Sequence, residues 1–458
     1  MASKQDIRRS KPLEGIRVLD STYVFALPYA GGLLADLGAD VIKVEGPGRP
    51  DVSRTGGFAG CFPDGDPGGD WWNRASTYNL LHRGKRSLTL DLTKPEARKI
   101  FQELVAISDV VMENYTPRVM KNWGLDYASL RNIKPDLVMV SNTGYGHGEG
   151  PYSEYPAQAT TQEGTHGHCW VSGYVGGPPS KVGASYVDFL STWSAVFAVS
   201  AALRYRNRTG KGQWIDLAMY QSGAMFISEY IMDYMVNGRV GERIGNRHPH
   251  RAPQGCYPAR GQDQWVVLSV GSDGQWAALA KLMDRPDLLA DERFAGLSGR
   301  QAHHDELDGI ITQWTSGHDR YALMEMLQGA GIAASPVFIN RDTHLDPHLK
   351  ARGFLEMVDF PEERGIGTRP FIGRPYRFSG SDVGIQGPAP AFGQDNQDII
   401  TQLLGAPPQE YEFLVEEGTV ASAPTRGEPN LPGSFEEQIK LGRLVGRDDD
   451  YKAKLGIP

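Results

Sequence analysis

The chain has 458 residues, with 47 Lys and Arg against 55 Asp and Glu for a formal net charge of −8. That length exceeds one ordinary domain and is comfortable for two. The acidic balance excludes a general nucleic-acid or membrane-surface binder, which needs a basic field, and a hydrophobic share of 40% excludes a disordered chain.

The opening MASKQDIRRSKPLEG is charged with no apolar stretch behind it, so no secretory leader is expected. Ile16–Leu19 is a short apolar run that ends at Asp20, and after the loop STYVFALP the segment 29–37 carries small and apolar residues at helical spacing, closed by Gly38. Val41–Val44 is the next strand, ending at Glu45. The βαβ pattern implies parallel strands joined by a right-handed crossover. Strands are expected again at 87–90, 109–112 and 137–141, with a helix at 95–107 that begins on Pro95. The fold class is therefore α/β, with a Rossmann-like open parallel sheet. Residues 144–183 are rich in Gly, Pro, Tyr and Ser and read as long loops. An apolar helix follows over 187–203, too short for the roughly 20 residues of a membrane span, and 213–219 is a strand feeding a helix.

After about 225 the character changes to a polar, turn-rich segment, one strand and two amphipathic helices near 275–283 and 319–329. The expected division is a large domain over 1–225 and 335–405, a smaller α+β domain over 226–334, and an extended arm over 406–458 that is Pro-rich and charged.

Several candidate chemistries meet the residues poorly. No GxGxxG follows the first strand and no GxxxxGK[ST] occurs, so phosphate-loop binding has no direct support. Arg83, Lys85 and Arg86 in LHRGKRS, with Lys94, read either as a solvated basic turn or as partners of ligand phosphates. His166 with His168, His248 with His250, and His303 with His304 lack metal-ligand spacing, and Cys61, Cys169 and Cys256 lack a CxxC, so no metal and no disulfide framework are expected. No GxSxG is present. Asp188, between a Gly-rich loop and an apolar helix, reads as a helix cap or as a partly desolvated carboxylate at the edge of a site. On the residues alone the cap is the plainer reading.

Taken together, KPLEGIRVLDSTYVFALPYAGGLLADLGADVIKVEGPGRPD, NLLHRGKRSLTLDL, VMENYTPRVMKNWGLDYASL, VGASYVDFLSTW and GNRHPHRAPQGCYPARGQ resemble the class III CoA-transferase family, over roughly residues 11–405. The resemblance implies a large domain built from both chain ends, a small middle domain and two subunits interlocked like chain links. It also reverses the reading of Asp188, which stands at the position of the family's nucleophile. The implied chemistry is attack of this carboxylate on an acyl-CoA thioester and passage through an aspartyl–CoA thioester, with backbone N–H groups of the Gly-rich loops holding each oxyanion and no metal. The positions matching the family's CoA contacts are Leu90, Asp91, Lys94, Asn114, Tyr115 and Met219. Lys85 and Arg86 are added as phosphate partners by charge. The localisation expected is cytoplasmic.

Departures from the family pattern bear on the substrate. Formyl-CoA transferases carry a glutamine where Phe25 stands, and racemases of this scaffold need a histidine that the stretch 156–160 lacks. Phe25 and Trp193 are expected to contact the acid, and with Trp170, Tyr174, Tyr186 and Phe189 they favour a bulky, aromatic acceptor. GDWWNRASTYNLLHRGKRS resembles the benzylsuccinate CoA-transferase branch, which implies succinyl-CoA as donor and an arylsuccinate as acceptor. Two alternatives stay open: an acyl-CoA racemase or isomerase, and a CoA-binding subunit of a heteromeric transferase.

Overall fold

The short apolar runs become strands because each ends at a polar residue and is followed by a segment that covers it. β1 (Arg17–Asp20), β2 (Asp40–Glu45), β3 (Arg86–Thr89), β4 (Val110–Glu113), β5 (Val138–Thr143) and β6 (Gln213–Ala218) form one sheet in the order β3-β2-β1-β4-β5-β6. Every pairing is parallel, with Val18 opposite Val41 on one side and Val110 on the other. These coordinates are a computed structural model describing residues 11–56, 61–148, 150–183 and 185–458. The segment 1–10, in which no leader is expected, lies outside them.

Strand order reverses between β1 and β4, the switch point at which such sheets have their crevice, at the C-terminal ends of the strands. Sheets of this type take ligands there. The expected Rossmann-like parallel sheet is what the chain builds.

Both faces of the sheet are covered. On one, α1 (Ala26–Asp36) is buried along its whole length, and two glycines make that possible. A Cβ on Gly32 would lie 2.7 Å from the Leu81 carbonyl oxygen, closer than any real contact. The other face receives α2 (Pro95–Ala106), whose Ile100, Phe101 and Leu104 meet Leu19, Ile42 and Val111. Ile399, Ile400, Leu414 and Val420 join the same core, so the end of the chain completes a layer begun by its start.

The stretch read as long loops holds a short helix, α3 (Ala159–Thr165), which the lack of apolar periodicity in ATTQEGT conceals. The expected apolar helix is longer than its pattern suggests. α4 (Tyr186–Thr209) runs until Gly210 adopts a left-handed conformation that ends it. Its Ala195, Val199 and Ala202 pack in the core beside α1. By length and composition it is the one described helix that could cross a membrane; part of its apolar surface packs in this core, while Phe197 stays exposed. α5 (Met219–Phe226) follows β6 directly.

The chain divides into two compact units. One runs to His166 and takes in Gly183–Ser228 and Pro347–Pro458; the other comprises Gly167–Val182 and Glu229–Asp346. The second unit has its own antiparallel sheet, β7 (Gln254–Pro258), β8 (Trp265–Ser269) and β9 (Ala333–Pro336), in that order. Leu268, Trp276, Leu307 and Leu323 form its core. Back in the first unit, β10 (Leu355–Val358) and β11 (Arg369–Ile372) make an antiparallel hairpin.

The segment 406–458 contains three short helices, Pro408–Glu416, Phe435–Lys440 and Tyr451–Leu455. It lies along its own unit. Asp91 N–H donates to the Thr419 carbonyl, Ala421 N–H to Thr89 Oγ1, Thr425 N–H to the Pro47 carbonyl, and the Tyr451 hydroxyl to Asp64.

Candidate active site

The crevice is lined by the loop that leaves β1, and nearly every backbone group of that loop is pinned. Ser21 N–H donates to the Met112 carbonyl at 3.0 Å. Thr22 N–H donates to Asp20 Oδ1, and the Thr22 carbonyl accepts from Lys43 Nζ. Tyr23 is clamped from across the crevice, because Asn114 Oδ1 accepts from its N–H at 2.8 Å while Asn114 Nδ2 donates to its carbonyl at 2.7 Å. Val24 N–H donates to Asp51 Oδ1. The next residue, Phe25, opens α1.

Beneath this loop lies a lattice of buried charge. Lys85 pairs with Asp20 at 2.7 Å, Lys43 lies 3.4 Å from Asp51, and Arg54 pairs with Glu45 at 2.7 Å, all six side chains being shut off from solvent. His82 sits between Lys85 and Asp51. Burial raises the pKa of each acid, and nearby cations and hydrogen bonds more than offset this: Lys85 and Lys43 hold Asp20 low, Arg54 holds Glu45 low, and the Lys43 charge with a hydrogen bond from His82 holds Asp51 well below its ordinary range. Burial, aided by Lys85, lowers His82 to about 3 and keeps it neutral. For Lys85, burial outweighs the pull of Asp20 and brings it to about 8. Such pairs are costly to bury and costlier to break.

Asp188 occupies the first turn of α4, half-buried, where the helix dipole favours a carboxylate. It is not the cap. Ser185 is the N-cap residue, and the Tyr186 N–H is taken at 2.8 Å by Glu163 Oε1 from α3. Two contacts bring this turn to the start of α1. Thr192 Oγ1 donates to the Ala26 carbonyl at 2.7 Å, and the Phe189 ring meets Phe25 edge-on with centroids 5.0 Å apart. Asp188 therefore lies where the β1 loop becomes a helix, at the ligand-taking edge of the sheet. A half-buried carboxylate so placed is suited to attack an activated acyl carbon.

The other anticipated residues divide. Leu90, Asp91 and Lys94 follow β3 at the same C-terminal edge: Leu90 is buried with its N–H on the Glu45 carbonyl, and Lys94 Nζ donates to the Glu417 carbonyl. Asn114 and Tyr115 follow β4, and the Tyr115 ring lies between Tyr23 and Trp123 with centroids 5.7 and 5.4 Å away. Met219 opens α5, half-buried. Trp193 packs on Tyr376, a turn beyond Phe189.

Two basic residues depart from expectation. Arg86 is the first residue of β3, at the opposite edge of the sheet, bound to Asp398 at 2.9 Å and near Asp40. Lys85 points into the interior, committed to Asp20, and Arg83 is buried against Asp36, so LHRGKRS is not a solvated turn. Of the aromatic set, Phe25 and Phe189 pack on each other and on Tyr29, Tyr186 packs on Phe226, and Trp170 and Tyr174 belong to the second unit.

The sequence reading missed one polar chain altogether. Trp214 Nε1 donates to Ser141 Oγ at 3.0 Å, and His147 lies 3.2 Å from Asp216 and 3.9 Å from Glu113. Glu113, Ser141, His147 and Trp214 line a cleft of about 630 Å³ beside β4, β5 and β6. Nothing in the spacing of 113, 141, 147 and 214 signals that parallel strands will bring them together.

A family profile described as CoA-transferase family III matches residues 13–396. The chain belongs to that family. It is 32% identical over 410 residues to succinyl-CoA–D-citramalate CoA-transferase of Chloroflexus aurantiacus, covering 89% of this chain and 98% of that one. The succinyl-CoA–L-malate CoA-transferase beta subunit of the same organism is 32% identical over 396 residues, covering 86% of this chain and 94% of that one. A CAIB/BAIF family protein from Brucella suis is similar in structure, with a TM-score of 0.77 at 34% identity over 86% of this chain and 99% of its own. The resemblance carried by the motifs is thus membership, and the enzyme is a class III CoA-transferase.

Proposed function

We propose that this class III CoA-transferase moves CoA from succinyl-CoA to a dicarboxylic acid through a covalent aspartyl–CoA thioester on Asp188. The observation that carries the reading is the place of Asp188: the first turn of α4, joined through Thr192 and Phe189 to the start of α1 at the crevice edge. The donor and the acceptor class rest on the two Chloroflexus relatives, both named for succinyl-CoA and a hydroxydicarboxylic acid.

In the proposed cycle the Asp188 carboxylate attacks the thioester carbonyl of succinyl-CoA, the C–S bond breaks, and CoA thiolate leaves a mixed succinyl–aspartyl anhydride. The thiolate then attacks the aspartyl carbonyl, expelling succinate and leaving the aspartyl–CoA thioester. The acceptor carboxylate repeats the two steps in reverse order and regenerates Asp188, with no net proton or electron change. Leu90, Asp91, Lys94, Asn114, Tyr115 and Met219 are the proposed CoA contacts. Lys85 is left out because it is bound to Asp20, and Arg86 because it sits at the far edge.

Phe25, where small-acid transferases carry glutamine, gives the acceptor an apolar wall. It favours a dicarboxylic acid bearing an apolar substituent, of which an arylsuccinate is one. A second protomer is proposed to cover exposed apolar side chains such as Phe197 and Met225. The beta-subunit relative makes a related chain the other candidate for that place. The cytoplasm is the proposed compartment.

The test is exchange of isotopically labelled succinate into succinyl-CoA by the purified chain, which needs no knowledge of the acceptor. Citramalate, glutarate and benzylsuccinate are then offered in turn. Exchange lost in Asp188→Ala and transfer to at least one of these acids is the expected result. Exchange that survives Asp188→Ala contradicts the reading, and no exchange without a second, related chain moves it to the heteromer.

A further inference from the structure

The loop above the buried charge contains one residue that does not belong there by its chemistry. Val24 has φ of 75°, a left-handed conformation that a β-branched side chain adopts only under constraint. Packing does not impose it, since Val24 is 42% exposed. The constraint is visible in the hydrogen bonds on either side. Asn114 fixes both backbone groups of Tyr23, Lys43 fixes the Thr22 carbonyl and lies 4.4 Å from the centre of the Tyr23 ring, and Asp51 takes the Val24 N–H while its other oxygen faces Lys43 and His82. Asp51 is itself fixed by Ser53, whose N–H and hydroxyl both donate to it.

We propose that Lys43 and Asp51 are positioning residues for acyl transfer: they hold Val24 left-handed and so set Phe25 against Phe189, the neighbour of Asp188. Strained conformations persist only where the surroundings over-determine them, and they collect at functional sites. Beside Asn114, the over-determining groups include two buried charges, Lys43 and Asp51, that no ligand needs to touch. Their effect reaches the reaction through one turn of backbone, because the residue after Val24 both opens α1 and carries the ring that meets α4. The inference rests on the reading of Asp188 as nucleophile.

Glycine accepts positive φ without cost, which gives the proposal its test. Succinate exchange into succinyl-CoA is measured for the full chain carrying Lys43→Met, Asp51→Asn, and each of these combined with Val24→Gly. The expected result is a fall in kcat of tenfold or more for each single lattice variant, with KM for succinyl-CoA within threefold. Val24→Gly should then restore at least a third of the lost kcat. A lattice variant that folds only in the Val24→Gly background counts as the same rescue. Double variants no faster than the single ones, single variants within twofold of wild type, or lattice variants that fold in neither background overturn the proposal. Asp188→Ala is run alongside: unchanged exchange in that variant defeats the nucleophile reading, whereas the rescue by glycine is judged on the ratio of rates alone.

Discussion

The Lys85 ammonium lies 2.7 Å from the Asp20 carboxylate with both side chains out of solvent, and the backbone of Gly31 closes directly over the pair. A Cβ at Gly31 would stand 2.7 Å from Asp20 Oδ2 and 2.8 Å from Lys85 Nζ. The adjacent glycines in YAGGLLADL are thus the condition for laying a wholly buried helix across an ion pair.

Gly31→Ala is expected to destabilise the chain by about 2–4 kcal/mol, since neither ion can move without losing its partner in the interior. Urea unfolding of the variant against wild type measures it. Lys85→Met should cost about 3–5 kcal/mol by leaving Asp20 buried and unpaired, and adding Asp20→Leu should recover much of that.

His82 makes stability depend on pH. In the folded chain burial holds its pKa at about 3, whereas an exposed histidine titrates near 6.5. Between those values the unfolded chain binds a proton that the folded chain refuses, so stability falls as pH drops through that window. From pH 6.5 to 5 the loss from this residue is about 2 kcal/mol. Urea midpoints at the two pH values should show it in wild type, and His82→Gln should lose that share of the slope.

The C-terminal segment is expected to support both stability and donor binding. Val420 is buried in the sheet's core, and the Thr419 and Glu417 carbonyls hold Asp91 and Lys94. Ending the chain at Gly418 removes the buried Val420 and Ile457 and the hydrogen bonds made at 419, 421, 425 and 451, and should cost about 3–6 kcal/mol. It should also raise KM for succinyl-CoA severalfold. Thermal melting and donor saturation curves test the two effects separately.

Phe25→Gln should change the choice of acid. Removing the ring is expected to lower kcat/KM for benzylsuccinate by about tenfold or more, the scale on which an apolar pocket discriminates. Glutarate should lose only the share of kcat that comes from breaking the Phe25–Phe189 contact, so the ratio between the two acids moves toward glutarate. Competition between the two acids for one donor pool reads the ratio directly.

Much of the large domain was legible in the sequence because its signals are local. Runs such as VIKV ending at Glu45, and Pro95 opening an amphipathic helix, announce their own structure. What escaped was non-local. LHRGKRS reads as a surface turn because nothing in it reveals that Asp20, 65 residues earlier, takes the Lys85 ammonium. Lys85 and Arg86 are neighbours in the chain, yet one points inward and the other starts a strand at the far edge of the sheet. The helix at 159–165 is hidden for a different reason: its Thr, Gln, Glu and Gly residues carry no apolar period, and its place is set by contacts with α4 and α5. The nucleophile reading of Asp188 comes only from the family motif, since on its residues alone a helix cap is the simpler account. The cap falls to Ser185, with Glu163 taking the next N–H.

The central claim is that Asp188 becomes covalently bound to CoA. Intact-protein mass after incubation with succinyl-CoA, with and without hydroxylamine, tests it most directly. The expected result is a CoA-bearing adduct that hydroxylamine removes and that Asp188→Ala never forms. An adduct of the same mass on the Asp188→Ala protein, or turnover of succinyl-CoA by that variant at the wild-type rate, would contradict it.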